Sequence, residues 1–211
     1  MRVLLQFPGR GAADWRDAVA AALPEATLET WPEIRSGPAG ARPDYALVWK
    51  PPPELFTAAA PTRAVFNLGA GVDALVAVPT LPRDVPVIRL EDAGMAAQMA
   101  EYATLAVLAA HRDLRAYAEA QREGRWTPRP RRAPEEFGVG LLGLGVLGRA
   151  VAAALAPFGF PLHGWSRTPR TLPGVTCHAG AAELPAFLAR SRVLVCLLPS
   201  TAETRGLLDR D

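Results

Sequence analysis

A glycine-rich turn at residues 143–148 carries the clearest chemical pattern in this sequence of 211 residues. Gly143, Gly145 and Gly148 have the spacing G-x-G-x-x-G, with an apolar run before them and an alanine-rich stretch after them. A strand, a tight turn and a helix start in this order place free backbone N–H groups where a pyrophosphate can bind. The spacing alone is weak evidence, but these flanks favour a dinucleotide site over a glycine turn without a ligand.

The residues about 20 positions after the turn indicate which dinucleotide is bound. In such sites an Asp or Glu at the end of the second strand binds the adenosine ribose of NAD. Here that strand ends in Ser166, Arg167 and Thr168, with no acidic residue among them. An arginine attracts a 2′-phosphate and can donate two hydrogen bonds to it, and the hydroxyls add neutral donors. The sequence therefore favours NADP (NADPH) over NAD, with a solvated loop arginine as the alternative for Arg167.

Two series of secondary-structure elements must position these residues. In the first series, strands are predicted at residues 3–7, 45–49, 64–68 and 85–90, and a helix at 14–23. In the second, strands are predicted at 138–142, 162–165 and 193–198, and helices at 146–156 and 181–189. Short apolar strands that alternate with helices indicate an α/β fold with mostly parallel sheets.

A long helix separates the two series. It is predicted to run without a break from Met95 to Arg122, because no Gly or Pro interrupts its apolar repeat. The Pro- and Arg-rich segment 126–134 after it is predicted to be an exposed loop. We therefore expect two domains, residues 1–97 and residues 98–211.

The composition excludes several classes of function. The net charge of +2 is too small and too dispersed to predict nucleic-acid binding. No apolar run approaches the roughly 18 residues of a membrane span, so no membrane partner is expected. Because the N-terminus does not resemble a signal peptide either, we expect a cytoplasmic protein.

The cysteines and histidines do not form a metal-binding pattern. Cys196 lies in the apolar run 193–198 and is predicted to be a buried core residue, and Cys177 lies in a different segment. His111, His163 and His178 are scattered, and each is interpreted as structural or solvated rather than catalytic. We therefore predict no metal site.

Several segments together resemble one enzyme family. They are Phe66–Asp73 (FNLGAGVD), Arg89–Tyr102, Phe137–Gly148, Gly164–Arg167 (GWSR) and Cys196–Thr201 (CLLPST). In this combination and order they resemble the D-isomer-specific 2-hydroxyacid dehydrogenases, and in particular their glyoxylate and hydroxypyruvate reductases. The resemblance implies a flavodoxin-like substrate domain, residues 1–97, and a Rossmann dinucleotide-binding domain, residues 98–211.

The resemblance also implies a reaction and a cofactor site. The reaction is the reduction of a small 2-oxoacid, glyoxylate or hydroxypyruvate, by NADPH to the 2-hydroxyacid. Backbone groups of Val146 and Leu147 would hold the pyrophosphate, and Leu198 and Pro199 would pack near the nicotinamide ribose. The region of the long helix contributes to a dimer interface in the family, so a homodimer is expected for the intact protein, with a helix that packs only on its own domain as the alternative.

For the substrate, the resemblance implies a loop and an aromatic side chain. The backbone N–H groups of Gly69, Ala70 and Gly71 would hold the substrate carboxylate, since clustered amides bind anions, and Trp49 would line the pocket. Without the resemblance, a plain turn after a strand explains the glycines equally well, and Trp49 is better interpreted as a core aromatic.

The family's catalytic arginine, glutamate and histidine follow the segment that residues 196–208 match. We therefore expect no catalytic residue within residues 1–211, an inactive truncated chain, and a dinucleotide-binding sheet that stops after its fourth strand, residues 193–198. Such a strand would form an exposed apolar edge. The alternative function is a non-catalytic NADP-binding or regulatory module.

Overall fold

The computed structural model describes residues 1–33 and 42–209. The chain divides into two compact units. The first consists of Met1–Glu91 together with Ser200–Arg205, and the second of Asp92–Pro199 together with the residues from Gly206 onward. The assignment of a substrate role to residues 1–97 and a cofactor role to residues 98–211 stays a prediction.

The first unit contains a five-stranded parallel sheet. Its elements in chain order are β1 (Arg2–Gln6), α1 (Ala12–Ala22), β2 (Thr27–Thr30), β3 (Tyr45–Val48), α2 (Pro53–Ala59), β4 (Ala64–Asn67), α3 (Asp73–Val76) and β5 (Val87–Arg89). The strand order is β2-β1-β3-β4-β5, and every neighbouring pair is parallel. This is the order of flavodoxin-like sheets, which confirms the predicted fold of this unit.

Apolar side chains from the central strands and α2 form the core of the first unit. Leu4 on β1, Val48 on β3 and Val65 on β4 are fully buried. Leu55 and Phe56 of α2 belong to the same buried cluster. Burial of each such side chain stabilises the fold by about 1.5–3 kcal/mol. The cluster therefore holds β3 and β4 in place and fixes the positions at which these strands end.

The second unit contains a four-stranded parallel sheet. Its elements are α4 (Met95–His111), α5 (Leu114–Arg122), β6 (Val139–Leu142), α6 (Val146–Leu155), β7 (Leu162–Ser166), β8 (Val175–Ala179), α7 (Gly180–Ala189) and β9 (Val193–Cys196). The strand order is β8-β7-β6-β9. It corresponds to positions 3-2-1-4 of the Rossmann order and confirms the predicted α/β class.

The helix after the glycine turn, α6, follows directly from its sequence pattern. Its buried residues Gly148, Val151, Ala152 and Leu155 recur at the spacing of one helix face. They pack in one core with residues of α4 and β6. The α-helix ends at Leu155, before Pro157, which cannot continue the hydrogen-bond ladder.

The prediction of one helix from Met95 to Arg122 is wrong. The chain forms two helices, because Asp113 between them adopts a left-handed backbone with φ of 52°. Aspartate is one of the few non-glycine residues that tolerate this conformation. Its carboxylate also pairs with Arg129 at 3.2 Å and Arg132 at 3.7 Å, contacts from the following loop that stabilise the break.

The prediction that Cys196 is buried is also wrong. Cys196 is exposed, and so is Leu194, because β9 forms one edge of the second sheet. This edge position agrees with the expected exposed strand. The sequence patterns also missed β2 and β8 and the short helices α2 and α3.

Within residues 1–33 and 42–209, no helix is long and apolar enough to cross a membrane.

Candidate functional site

The glycine turn of the second unit lies between β6 and α6. Gly143 has a φ of 104°, which a residue with a side chain rarely adopts. A β-carbon there would also lie 3.2 Å from the carbonyl group of Leu197. The first glycine is therefore required by the backbone itself, as the motif predicts.

The other two glycines have different surroundings. A β-carbon on Gly148 would lie 2.0 Å from the carbonyl oxygen of Gly143, so helix and turn touch there. A β-carbon on Gly145 would meet no described atom within 4 Å. Gly145 therefore faces open space, and its missing side chain leaves room for a ligand rather than for the protein.

The N-terminus of α6 presents donors to that space. No side chain caps it, and Gly145 is the residue before its first turn. The N–H groups of Val146 and Leu147 have no acceptor within the helix, as is general for a first helical turn. Open space beside free N–H groups and the positive end of the helix dipole fits a pyrophosphate.

The end of β7 lies beside this turn. The N–H of Gly143 donates a hydrogen bond to the carbonyl of Trp165, the residue before Ser166, at 2.9 Å. Arg167 follows and is exposed, and its guanidinium forms no ion pair with any carboxylate that the structure describes. The Ser166 hydroxyl donates to the carbonyl of Thr168 at 2.8 Å, so it offers an acceptor rather than a donor in this conformation. The free guanidinium of Arg167 is the group here that suits a phosphate.

Leu198 borders the same turn. It packs on the buried cluster of Leu142, Trp165 and Phe187, and its side chain would be 3.4 Å from a β-carbon on Gly143. Pro199 follows it and is exposed. Leu198 thus belongs to the wall of the turn, and the role of both residues toward a nicotinamide ribose stays a prediction.

A second candidate site lies in the first unit, after β4. Asn67 is 4% exposed, and its side-chain amide donates to the carbonyl of Gly69 at 2.7 Å and to that of Gly71 at 2.8 Å. These bonds hold both carbonyls toward the sheet. The N–H groups of Gly69, Ala70 and Gly71 have no acceptor among the described residues. They remain available to an anion, and their role toward a substrate carboxylate stays a prediction.

Sequence reasoning gave Asn67 no role. The sequence pattern that could have indicated a role is an asparagine at the end of an apolar strand, close before a glycine loop. Short amide side chains form hydrogen bonds with nearby backbone groups at such positions. The pattern marks a turn, but it does not show that one amide holds two loop carbonyls.

Trp49 covers the loop. A β-carbon on Gly69 would lie 1.8 Å from Cζ3 of the Trp49 ring, so only glycine fits beneath it. The N–H of Trp49 donates to the carbonyl of Gln6 at 3.0 Å, which fixes the tryptophan at the end of β3. A cavity of about 290 Å³ adjoins the ring, and its lining comprises Trp49, Lys50, Asn67, Gly71, Asp73, Ala74, Leu75 and Ser200.

The three histidines take part in packing. His111 lies edge-on to Phe137 and Phe160, with ring centroids 5.1 Å apart in each case. His163 is 7% exposed, and burial, followed by the nearby His178 and Arg190, lowers its pKa below the ordinary 6.5. A buried neutral imidazole of this kind is a structural group. The described residues also contain no cluster of three or more side chains able to hold a metal ion.

Comparison with known proteins identifies close relatives. A sequence profile for the NAD-binding domain of D-isomer-specific 2-hydroxyacid dehydrogenases matches residues 104–211. The whole chain is 44% identical to glyoxylate/hydroxypyruvate reductase A of Enterobacter sp. (strain 638) and 40% identical to that of Yersinia enterocolitica. In both cases the match covers 67% of the relative's length.

Solved structures of 2-hydroxyacid dehydrogenases also resemble this chain. A D-isomer-specific 2-hydroxyacid dehydrogenase from Xanthobacter autotrophicus Py2, in complex with NADPH and MES, is 45% identical with a TM-score of 0.84. An NADPH-dependent glyoxylate/hydroxypyruvate reductase from Sinorhizobium meliloti, in complex with NADP and sulfate, is 34% identical with a TM-score of 0.87. The alignments cover 98% and 99% of this chain and 66% and 65% of those structures, so the chain spans about two thirds of its relatives.

Proposed function

This chain belongs to the D-isomer-specific 2-hydroxyacid dehydrogenases, and we propose from that premise that it serves the NADPH-dependent reduction of a small 2-oxoacid. Glyoxylate and hydroxypyruvate are the proposed substrates, with glycolate and glycerate as products. The names of the reductases from Enterobacter and Yersinia support this choice. Residues 1–97 would serve the substrate, and residues 98–211 the cofactor.

The cofactor proposal depends above all on Arg167. Its unpaired guanidinium follows β7 at the place where an acidic residue would select NAD. A carboxylate there would repel a 2′-phosphate, whereas a guanidinium binds it through two hydrogen bonds. The Thr168 hydroxyl would add a donor, and Ser166 would add one after its hydroxyl turns from the Thr168 carbonyl toward the phosphate. The complexes of the Xanthobacter and Sinorhizobium proteins with NADPH or NADP support the same choice.

The remaining cofactor contacts follow from the turn. The open space at Gly145 would admit the pyrophosphate, and the N–H groups of Val146 and Leu147 would donate to it. The wall formed by Leu198, with Pro199 after it, would face the nicotinamide ribose.

When bound, NADPH supplies a hydride for the carbonyl carbon of the 2-oxoacid. The chain's own contribution in the first unit is to orient the substrate. The free N–H groups of Gly69, Ala70 and Gly71 would hold its carboxylate, and Trp49 would shield one side of the pocket. Asn67 would keep those N–H groups directed outward through its bonds to Gly69 and Gly71.

The carbonyl oxygen also needs a proton, and we assign no donor for it within this chain. His111 packs against two phenylalanine rings, and His163 is buried with a lowered pKa. Neither suits a general acid, which must reach the substrate oxygen.

A homodimer of the intact protein is part of the proposal. The exposed apolar residues Tyr102 and Leu105 on α4, 71% and 65% exposed, support it, because exposed apolar side chains on one helix face are typical of a subunit interface. A cytoplasmic location remains a prediction from the sequence.

A fluorescence titration of the chain with NADPH and NADH tests the cofactor proposal. NADPH should bind more tightly, and equal affinity for the two nucleotides would contradict the role of Arg167. Loss of NADPH absorbance after addition of glyoxylate or hydroxypyruvate tests the reaction. Because we assign no proton donor within this chain, we expect binding of NADPH without turnover, and turnover by residues 1–211 would contradict that assignment. Failure to bind either 2-oxoacid would instead favour the non-catalytic NADP-binding module.

A further inference from the structure

Lys50 is the single lysine of the sequence and has an unusual backbone conformation. Its φ is 47°, one of two positive values among the non-glycine residues that the structure describes. A left-handed residue with a side chain has a strained backbone, and such residues concentrate at ligand sites. Glycine would avoid that strain, so the lysine side chain itself calls for an explanation.

The side chain of Lys50 lies near the Trp49 ring. Its ammonium nitrogen is 5.7 Å from the centroid of the Trp49 ring, the ring that covers Gly69. Lys50 also lines the 290 Å³ cavity together with Gly71. No carboxylate within residues 1–33 and 42–209 forms an ion pair with it. A lysine without an ion pair among the described residues therefore borders the same cavity as Gly71, one of the three loop residues.

We propose that Lys50 binds the carboxylate of the 2-oxoacid together with the loop amides, as a determinant of affinity for anionic ligands. This inference rests on the proposed function of the loop. The Trp49 ring would hold the ammonium in place through a cation–π contact, and the ammonium would donate a charge-assisted hydrogen bond to the carboxylate.

Asp73 is the other charged residue of the cavity lining. One of its carboxylate oxygens would be 3.8 Å from a β-carbon on Gly71, so it lies near the loop. Its negative charge opposes an anionic ligand. Removal of that charge should therefore strengthen binding, whereas removal of the Lys50 charge should weaken it.

The experiment measures oxalate binding to the full 211-residue chain by isothermal titration calorimetry. Oxalate is a stable dicarboxylate with the shape of glyoxylate. Lys50→Met should weaken binding by about fivefold or more, since charge-assisted hydrogen bonds are among the stronger ones. Lys50→Arg should retain most of the affinity, and Asp73→Asn should increase it.

Arg63→Met is the matched control. Arg63 lies 5.2 Å from the Tyr45 ring centroid, in the same unit, and does not line the cavity. The substitution removes a ring-stacked cation without touching the loop, and oxalate affinity should stay unchanged.

Lys50→Gly separates binding from a structural role. It relieves the left-handed backbone, so its thermal unfolding midpoint should equal or exceed that of the wild type, while its oxalate affinity falls as in Lys50→Met. A lowered midpoint with unchanged affinity would show that Lys50 only supports the turn.

Absence of oxalate binding by the wild-type chain, or equal affinity in Lys50→Met, overturns the proposal. An NADPH titration of the same samples separates this failure from that of the proposed function. NADPH binding with a preference over NADH, together with no effect of Lys50→Met on oxalate binding, rejects the lysine role alone. Absence of NADPH binding by the wild-type chain rejects the proposed function.

Discussion

A β-carbon on Gly148 would lie 2.0 Å from the carbonyl oxygen of Gly143, so the third glycine of the turn packs directly on the first. The two glycines on either side of the turn are thus required by protein contacts. A β-carbon on Gly145, between them, would meet no described atom within 4 Å. Substitution of Gly148 should therefore affect the stability of the turn, whereas substitution of Gly145 should affect its capacity to bind a ligand.

Gly148→Ala should destabilise the second unit. The added methyl group collides with backbone rather than with a flexible side chain, so helix α6 must shift away from β6. We expect a loss of about 1–3 kcal/mol in the free energy of unfolding, as for other overpacked sites. Urea denaturation followed by circular dichroism measures it, and an unchanged midpoint would contradict the close packing.

Gly145→Ala should weaken cofactor binding and leave the stability of the second unit nearly unchanged. Its backbone, with φ of −77° and ψ of −157°, is open to alanine. The midpoint of unfolding should therefore change little. The methyl group would occupy the space assigned to the pyrophosphate, and NADPH affinity should fall by about tenfold or more. Wild-type affinity in this variant would show that the cofactor does not approach the turn.

Arg167→Asp should change the preference between cofactors. The substitution replaces an attractive charge with a repulsive one beside the 2′-phosphate, while NADH lacks that phosphate. NADPH affinity should fall by at least about tenfold and NADH affinity much less. Arg131→Asp, at an exposed position in the loop before β6, is the control with the same change of charge. An unchanged ratio of the two affinities in Arg167→Asp would reject the assignment.

His163 should make the stability of the second unit depend on pH. Burial lowers its pKa in the folded state, so the unfolded state binds the proton first as the pH falls. The stabilisation is complete above the ordinary pKa of 6.5 and is lost as the pH falls from there toward the lowered value. Unfolding midpoints at several pH values test this. His163→Leu should flatten the curve below about pH 6.5, and an equally steep curve in that variant would assign the effect to other groups.

The sequence predicted those parts of the fold that depend on local patterns. The buried face of α6 could be seen in the spacing of Val151, Ala152 and Leu155, and the central strands β1, β3, β4 and β6 in their apolar runs. The strands β2 and β8 carry polar residues at sheet edges, so no apolar run marks them.

Other features depend on contacts between distant residues. The helix break at Asp113 is stabilised by Arg129 and Arg132, which lie in the next loop and give no signal in the helical repeat. The cover of Gly69 by Trp49 brings together the ends of two strands. Such relationships follow from the folded backbone, and a motif can only indicate where to look for them.

The two bonds from Asn67 bear on how ligand binding would appear in a calorimeter. Ordering of one residue's backbone costs about 1–2 kcal/mol of conformational entropy, and the loop Gly69-Ala70-Gly71 contains three such residues. Because Asn67 holds the loop before any ligand arrives, that entropy is lost during folding and not on association. The loop is preorganised, and oxalate should therefore bind without a large unfavourable entropy from loop ordering.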